Sequence, residues 1–120
     1  SINADFTACK KIAEKVIPVA LKNKMPENVC LNVNIPKLPI ENIKGIKYCR
    51  QAKANWEEEF DERKDPSGND YYWLTGVFKN YDDGTDTDIW ALDNDYVSIV
   101  PVRTDMTAHN FIEELKTWEL

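Results

Sequence analysis

The chain has 120 residues, 42% hydrophobic and 30% charged, with four Trp, five Tyr and four Phe; it holds one domain's worth of foldable sequence rather than a disordered one. No apolar run reaches the roughly 18 residues that a membrane helix needs, and Ser1 to Asp5 show neither a basic n-region nor a following apolar h-region, so no signal peptide is visible. A net charge of -6 argues against binding a nucleic-acid polymer over the whole surface.

The charge is uneven. Residues 1–54 carry net +6 and residues 55–120 net -12, with the switch at Trp56-Glu57-Glu58-Glu59. The lysines of the first part are scattered, as on solvated helix and strand faces, rather than clustered into a phosphate surface. Cys9, Cys30 and Cys49 form no Cys-x-x-Cys pair, and His109 is the only histidine. Neither a zinc site nor a disulfide framework is legible, and all three cysteines read as small buried hydrophobes or free thiols in a reducing cytoplasm.

Between Asp5 and Lys22, Phe6, Cys9, Ala13, Val16, Ile17 and Ala20 recur at three- and four-residue steps opposite Lys10, Lys11, Glu14 and Lys15. This predicts an amphipathic helix, kinked in its last turn by Pro18. Val29 to Ile35 reads as a strand with Leu31, Val33 and Ile35 on one face, and Ile43 to Ala52 as a second, with Ile46, Tyr48 and Arg50 alternating against Lys47, Cys49 and Gln51. Trp56 to Arg63 and Tyr71 to Phe78 flank Asp65-Pro66-Ser67-Gly68, strong turn chemistry, and predict a β-hairpin. Its acidic first arm suggests that it projects from the body. Thr87 to Leu92 is ambiguous, with a short helical turn capped by Asp86 or Thr87 as one form. Tyr96 to Val100 is a short strand ending at Pro101. A final helix is expected from Ala108 to about Trp118, with Thr107 as N-cap and Met106 and Phe111 at staple positions. The chain thus divides into a helix with core strands over residues 1–52, a projecting hairpin over 53–80, and a strand with a terminal helix over 81–120.

Little catalytic chemistry is visible. The glycines at 45, 68, 76 and 84 are isolated, so no phosphate loop occurs, and no serine sits in a nucleophile elbow. Asp82, Asp83, Asp86 and Asp88 invite a calcium reading, but the EF-hand order fails, and a solvated acidic loop is the simpler expectation. Asp105 and His109, four apart, can form an acid–base dyad or fix the angle at which the last helix leaves the preceding strand; no nucleophile or metal ligand nearby favours the dyad. Trp56, Tyr71, Tyr72 and Trp73 can stack a base or sugar, or simply pack across strands.

Several segments, in order, resemble the SurE family of nucleotidases. Leu31-Asn32-Val33-Asn34-Ile35-Pro36 is similar to the family's Leu-Asn-Val-Asn-(Val/Ile)-Pro strand. The resemblance continues through Asp65-Pro66-Ser67-Gly68, Tyr71-Tyr72-Trp73, Thr85-Asp86-Thr87-Asp88, Tyr96-Val97-Ser98-Ile99-Val100-Pro101 and Asp105-Met106-Thr107-Ala108-His109. SurE proteins are longer. They begin with an Asp-Asp pair that, with a Ser and an Asn, holds a divalent metal, and a glycine loop receives the phosphate. None of those elements can be located here, so the resemblance is to the C-terminal half, and the parallel strand neighbours of Val29–Ile35 are expected in the missing part.

The resemblance implies an α/β class: the C-terminal part of a Rossmann-like fold, with a projecting hairpin and a swapped C-terminal helix. It implies a metal-dependent parent (Mg or Mn) acting on nucleoside monophosphates in the cytoplasm, a homodimer or tetramer without membrane or nucleic-acid polymer. This chain would supply core and assembly surfaces, with Asp105 and His109 at the hinge and Phe111, Ile112, Leu115 and Trp118 in the exchanged helix. No catalytic residue or metal ligand is expected in it, and it is expected to be inactive alone. Trp56, Tyr72 and Trp73 are candidates for a substrate rim. A stand-alone oligomerisation or interaction module is the alternative, and a carbohydrate-binding domain built on the Trp/Tyr hairpin a third reading.

Overall fold

The computed structural model describes residues 4–119. Ser1 to Asn3, at the start of the first segment, and Leu120, the end of the third, lie outside the described residues. Helix α1 (Thr7–Lys22) is followed by strand β1 (Val29–Asn34), a 3-10 turn at Ile40–Asn42 and strand β2 (Gly45–Tyr48). Strands β3 (Ala54–Lys64) and β4 (Asp70–Asn80) form the hairpin. Helix α2 (Asp88–Asp93), strand β5 (Tyr96–Arg103), a 3-10 turn at His109–Phe111 and helix α3 (Ile112–Leu115) complete the chain.

β5 is the middle of a three-stranded sheet ordered β1-β5-β2. It runs antiparallel to β1, with Val33 opposite Ile99, and parallel to β2, with Ile46 opposite Val97. The neighbour of β1 among the described residues is an antiparallel strand of the same chain, and β1 forms an edge of this sheet. Val97 and Ile99 turn to α1 and cluster with Ile12, Val16, Leu31, Val33 and Ile46. Val100, on the other face, packs with Cys49 and Ala91 of α2. Val97 to Val100 are buried throughout, as befits a strand covered on both sides.

Several elements differ from expectation. The face α1 buries is centred on Ile12, which is 3% exposed, with Cys9, Ala13, Val16 and Ala20 half-buried beside it. Phe6 and Ile17 belong to the predicted stripe yet stay exposed: Phe6 precedes the helix, and Ile17 lies about 100° round from Val16. The helix runs to Lys22, as its spacing predicts, with Pro18 inside it. β2 is shorter than its apolar pattern because at Arg50 the chain leaves β5 and bridges to Thr87 instead. β5 runs on past Pro101. Ile99 accepts the Cys49 N–H on the β2 side (2.8 Å), and Pro101, two residues on, would point its missing donor to that same side, where β2 has ended.

The ambiguous segment is helical: Thr87 caps α2, its hydroxyl accepting the Trp90 N–H (3.1 Å). The terminal helix is shorter than predicted. Asp105, not Thr107, gathers the local donors, accepting the Thr107 N–H (2.9 Å) and contacting the His109 ring (2.5 Å). The turn that results begins as 3-10, its N-cap Ala108 carries no side-chain cap, and Met106, 96% exposed, forms no staple.

The radius of gyration is 20.5 Å and the extents are 60 × 58 × 27 Å, against about 14 Å for a compact domain of this length. The two 11-residue hairpin strands reach about 36 Å and account for much of the difference.

Replacing Ile12 by Ala should cost about 2–5 kcal/mol, the usual range for emptying a core site. Ile17→Ala, on the exposed flank, should cost about 0.5 kcal/mol or less. Urea denaturation of both variants checks which stripe faces the sheet; equal effects would contradict this phase of α1.

Candidate functional site

The base of the hairpin is built around one guanidinium. Two forks engage Arg50. Its Nη1 and Nη2 donate to the two carboxylate oxygens of Asp82 (2.6 and 2.9 Å), and its Nε and Nη2 donate to Asp86 (both 3.0 Å). Nη1 also reaches the Gln51 carbonyl (3.4 Å). Asp82, its side chain only 7% exposed, further accepts the backbone N–H groups of Lys53 and Gly84 (both 3.0 Å). The Arg50 hydrogen bonds, then those amides, hold the Asp82 carboxyl far below the usual carboxylate range, and the same pair raises Arg50. Asp88 accepts the Ala52 N–H (2.9 Å). Gly84 lets the loop lie close against the pair: a Cβ there would lie 2.4 Å from Arg50 Nη2 and within 2.9 Å of both carboxylates, so these side-chain tips would have to shift.

The hairpin has two unlike faces, because cross-strand partners share a side. Trp56, Phe60, Tyr72, Leu74 and Phe78 fall on one face by register, with Glu58 and Glu62 between them. Trp56 and Phe78 meet edge to face (5.8 Å), and Gly76 leaves room for the Trp56 ring, which a Cβ would approach to 3.1 Å. The opposite face carries Glu57, Glu59 and Asp61 beside Trp73, which stacks under Arg63 (5.6 Å). Glu57 is held below its ordinary range by Lys79 and then by the Tyr81 hydroxyl. The apolar face is open to solvent, Trp56 at 65% and Phe60 at 69% exposure. A two-stranded ribbon of this kind is marginal alone in water.

The C-terminal segment is likewise uncovered. Phe111 and Trp118 contact each other edge to face (5.7 Å), while Phe111, Ile112, Leu115 and Trp118 all remain 38–54% exposed. Asp105 and His109 lie at its start. The His109 contact, then the Thr107 amide, lowers the Asp105 carboxyl. A third open apolar surface is a groove of about 420 Å³ under the second half of α1, lined by Val16, Val19, Leu31, Ile46 and Tyr48 among others.

The structure therefore brings Asp105 to His109, and Phe111 to Trp118. It does not bring Trp56, Tyr72 and Trp73 together. Trp73 is on the other face, and Tyr72 pairs with Glu62, six residues and about 20 Å from Trp56. The acidic loop is not simply solvated, since Asp82 and Asp86 both bind Arg50. Sequence reasoning missed Arg50, Asp82 and Gly84 as a unit. One signal was available: Arg50 is the only arginine among residues 1–62, and a fork can do what a lysine cannot. The residues present do not fit the divalent metal implied by the resemblance: among the described residues no group of three or more His, Cys, Asp or Glu side chains converges, and the best candidates already bind a guanidinium.

A mixed sheet between two helices, carrying a long ribbon and an uncovered terminal stripe, is part of an α/β domain. Comparison with known proteins says which. The family profile described as Survival protein SurE matches residues 1–58. The 5'-nucleotidase SurE of Flavobacterium psychrophilum is 57% identical over 118 residues, 98% of this chain and 46% of that protein. The protein of the same name from Christiangramia forsetii is 57% identical over 120 residues, again 46% of its length. The crystal structure of the SurE protein from Aquifex aeolicus superposes with a TM-score of 0.77 at 35% identity, covering 95% of this chain and 46% of that one. The chain is similar to SurE proteins over nearly all of its length and matches a C-terminal half of them. It spans about half the length of the relatives it matches.

Because Asp82 is lowered in the folded chain, its stabilising effect is complete above the ordinary carboxylate pKa of about 4. It is lost as pH falls from there through the lowered value. In an NMR titration the Asp82 carboxyl carbon should have its midpoint well below that of a solvated aspartate; an ordinary midpoint would contradict the clamp.

Proposed function

We propose that the chain is the C-terminal part of a SurE-type 5'-nucleotidase, an enzyme that releases phosphate from nucleoside monophosphates. The observation that carries this is identity sustained over nearly the whole chain with proteins named 5'-nucleotidase SurE. On this reading the chain contributes one part of the α/β core and the surfaces through which the enzyme assembles. Phosphate-ester hydrolysis needs a positioned water and charge stabilisation at the phosphoryl group. On this reading those groups, with the Mg or Mn ion of the resemblance, belong to the remainder of the full-length protein; among the described residues no three His, Cys, Asp or Glu side chains converge. The three free thiols suit the cytoplasm, where they stay reduced.

The assembly role is a homodimer or tetramer. Its support is the apolar surface left open: the Trp56–Phe78 face of the hairpin and the Phe111–Trp118 stripe. In such an assembly Asp105 and His109 set the course of the terminal segment as it crosses to a second copy.

The 120-residue chain alone should hydrolyse nucleoside monophosphates no faster than buffer, with Mg²⁺ or Mn²⁺ present. Activity should appear when it is co-expressed with the first half of the Flavobacterium psychrophilum relative. Metal-dependent turnover by the homogeneous chain alone would sink this division of labour.

Sedimentation of the wild type beside a Phe111→Ser, Leu115→Ser double variant tests the assembly role. The wild type should be a dimer or larger at micromolar concentration and the variant smaller. A monomeric wild type, or an unchanged variant mass, would show that the segment plays no part in self-association.

A further inference from the structure

We infer that Arg50 is a latch that fixes the angle at which the β3–β4 arm leaves the body. The chain enters the arm at Lys53 and leaves it at Tyr81, and those residues are joined at its base by the Tyr81 N–H to the Lys53 carbonyl (2.9 Å). Such a neck is a natural hinge, because two adjacent strands can twist and bend together without breaking their own ladder. What stops the bend is side-chain chemistry. Asp82, just beyond the exit, binds the Lys53 N–H at the entrance and takes both Nη atoms of Arg50, which lies three residues before that entrance.

Arg50 is itself fixed to the body. Its N–H donates to the Asp86 carbonyl (3.1 Å), and its carbonyl accepts the Asp88 N–H (3.0 Å). Thr87, fully buried, sits between those two partners and caps α2. The guanidinium thus ties the exit of the arm to the segment that anchors α2, with all three of its nitrogens engaged. The fork shape matters, since a lysine ammonium in the same place can satisfy one carboxylate but cannot hold two in a plane. Gly84 completes the latch by letting the loop close over the guanidinium with no side chain between. Arg50 is therefore a positioning residue. It makes the apolar face of the arm point in one direction. Its bearing on assembly rests on the function proposed above; the fixed angle does not.

The test is a distance measurement in the full chain. Spin labels go on the native, exposed Cys30 of β1 and on Ser67→Cys at the hairpin tip, with Cys9→Ser removing the other accessible thiol; Cys49 is buried. Labelled chain is diluted with unlabelled chain so that only distances within one molecule are read. The expected result is a narrow distribution in the parent, and loss of that narrowness in Arg50→Lys and in Gly84→Ala, with far-UV circular dichroism unchanged. Asp82→Asn, nearly the same shape, serves as a further variant should Arg50→Lys fail to fold. A distribution as narrow in the folded variants as in the parent would overturn the latch, as would a broad one in the parent. Sedimentation of the same samples reads the other proposal separately: a broadened distance with unchanged mass supports the latch and tells against assembly through the arm.

Discussion

Everything in this fold hangs on β5. It is the one strand with a neighbour on each edge and a helix on each face, and its residues Val97 to Val100 are buried. Remove that strand and α1 loses the surface under Ile12, α2 loses the partner of Ala91, and β1 and β2 have nothing to pair with. The mixed register follows from the same fact. β1 returns antiparallel on one side, while β2 is parallel on the other and needs a long crossover, which here includes the hairpin and α2.

Around this small core the distribution of apolar surface is unusual. Large side chains on the arm, on the terminal segment and under α1 face water, whereas the buried set consists mainly of small and β-branched residues. Burial of apolar area is the dominant favourable term in folding and association, and these are the surfaces that the proposed assembly would cover. Arg50 matters in that setting because an apolar face is useful to a partner only if it is presented in a fixed direction. The acidic loop, which from composition reads as a solvated one, is spent on holding that direction.

Much of the fold could be read from the residues, for identifiable reasons. Asp-Pro-Ser-Gly between two aromatic runs specifies a hairpin by local turn chemistry, and Thr87 specifies a cap by its hydroxyl; neither depends on distant contacts. The phase of α1 was not legible in the same way. Phe6, Cys9, Ile12, Ala13, Val16 and Ile17 support two overlapping stripes, and only the shape of β5 decides that Ile12 faces inward. The C-terminal helix was over-read because Phe111, Ile112, Leu115 and Trp118 have helical spacing, while the competing pull of the Asp105 carboxylate on Thr107 and His109 is a matter of geometry. Arg50 and Asp82, thirty-two residues apart, are invisible as a pair until the chain is folded. The separation of Trp73 from Trp56 and Tyr72 is simple parity along the strands, legible once the register of the hairpin is known.

That parity gives the protein a built-in set of optical probes. Its four tryptophans lie on four different surfaces: Trp56 on the apolar face of the arm, Trp73 on the acidic face under Arg63, Trp90 stacked on Tyr96 beside α2 (6.3 Å), and Trp118 against Phe111 at the C-terminus. Indole emission shifts to shorter wavelength as water is removed from around the ring. Single-tryptophan variants, with the other three replaced by Phe, would therefore turn fluorescence colour into a map of which surface is shielded from water in solution.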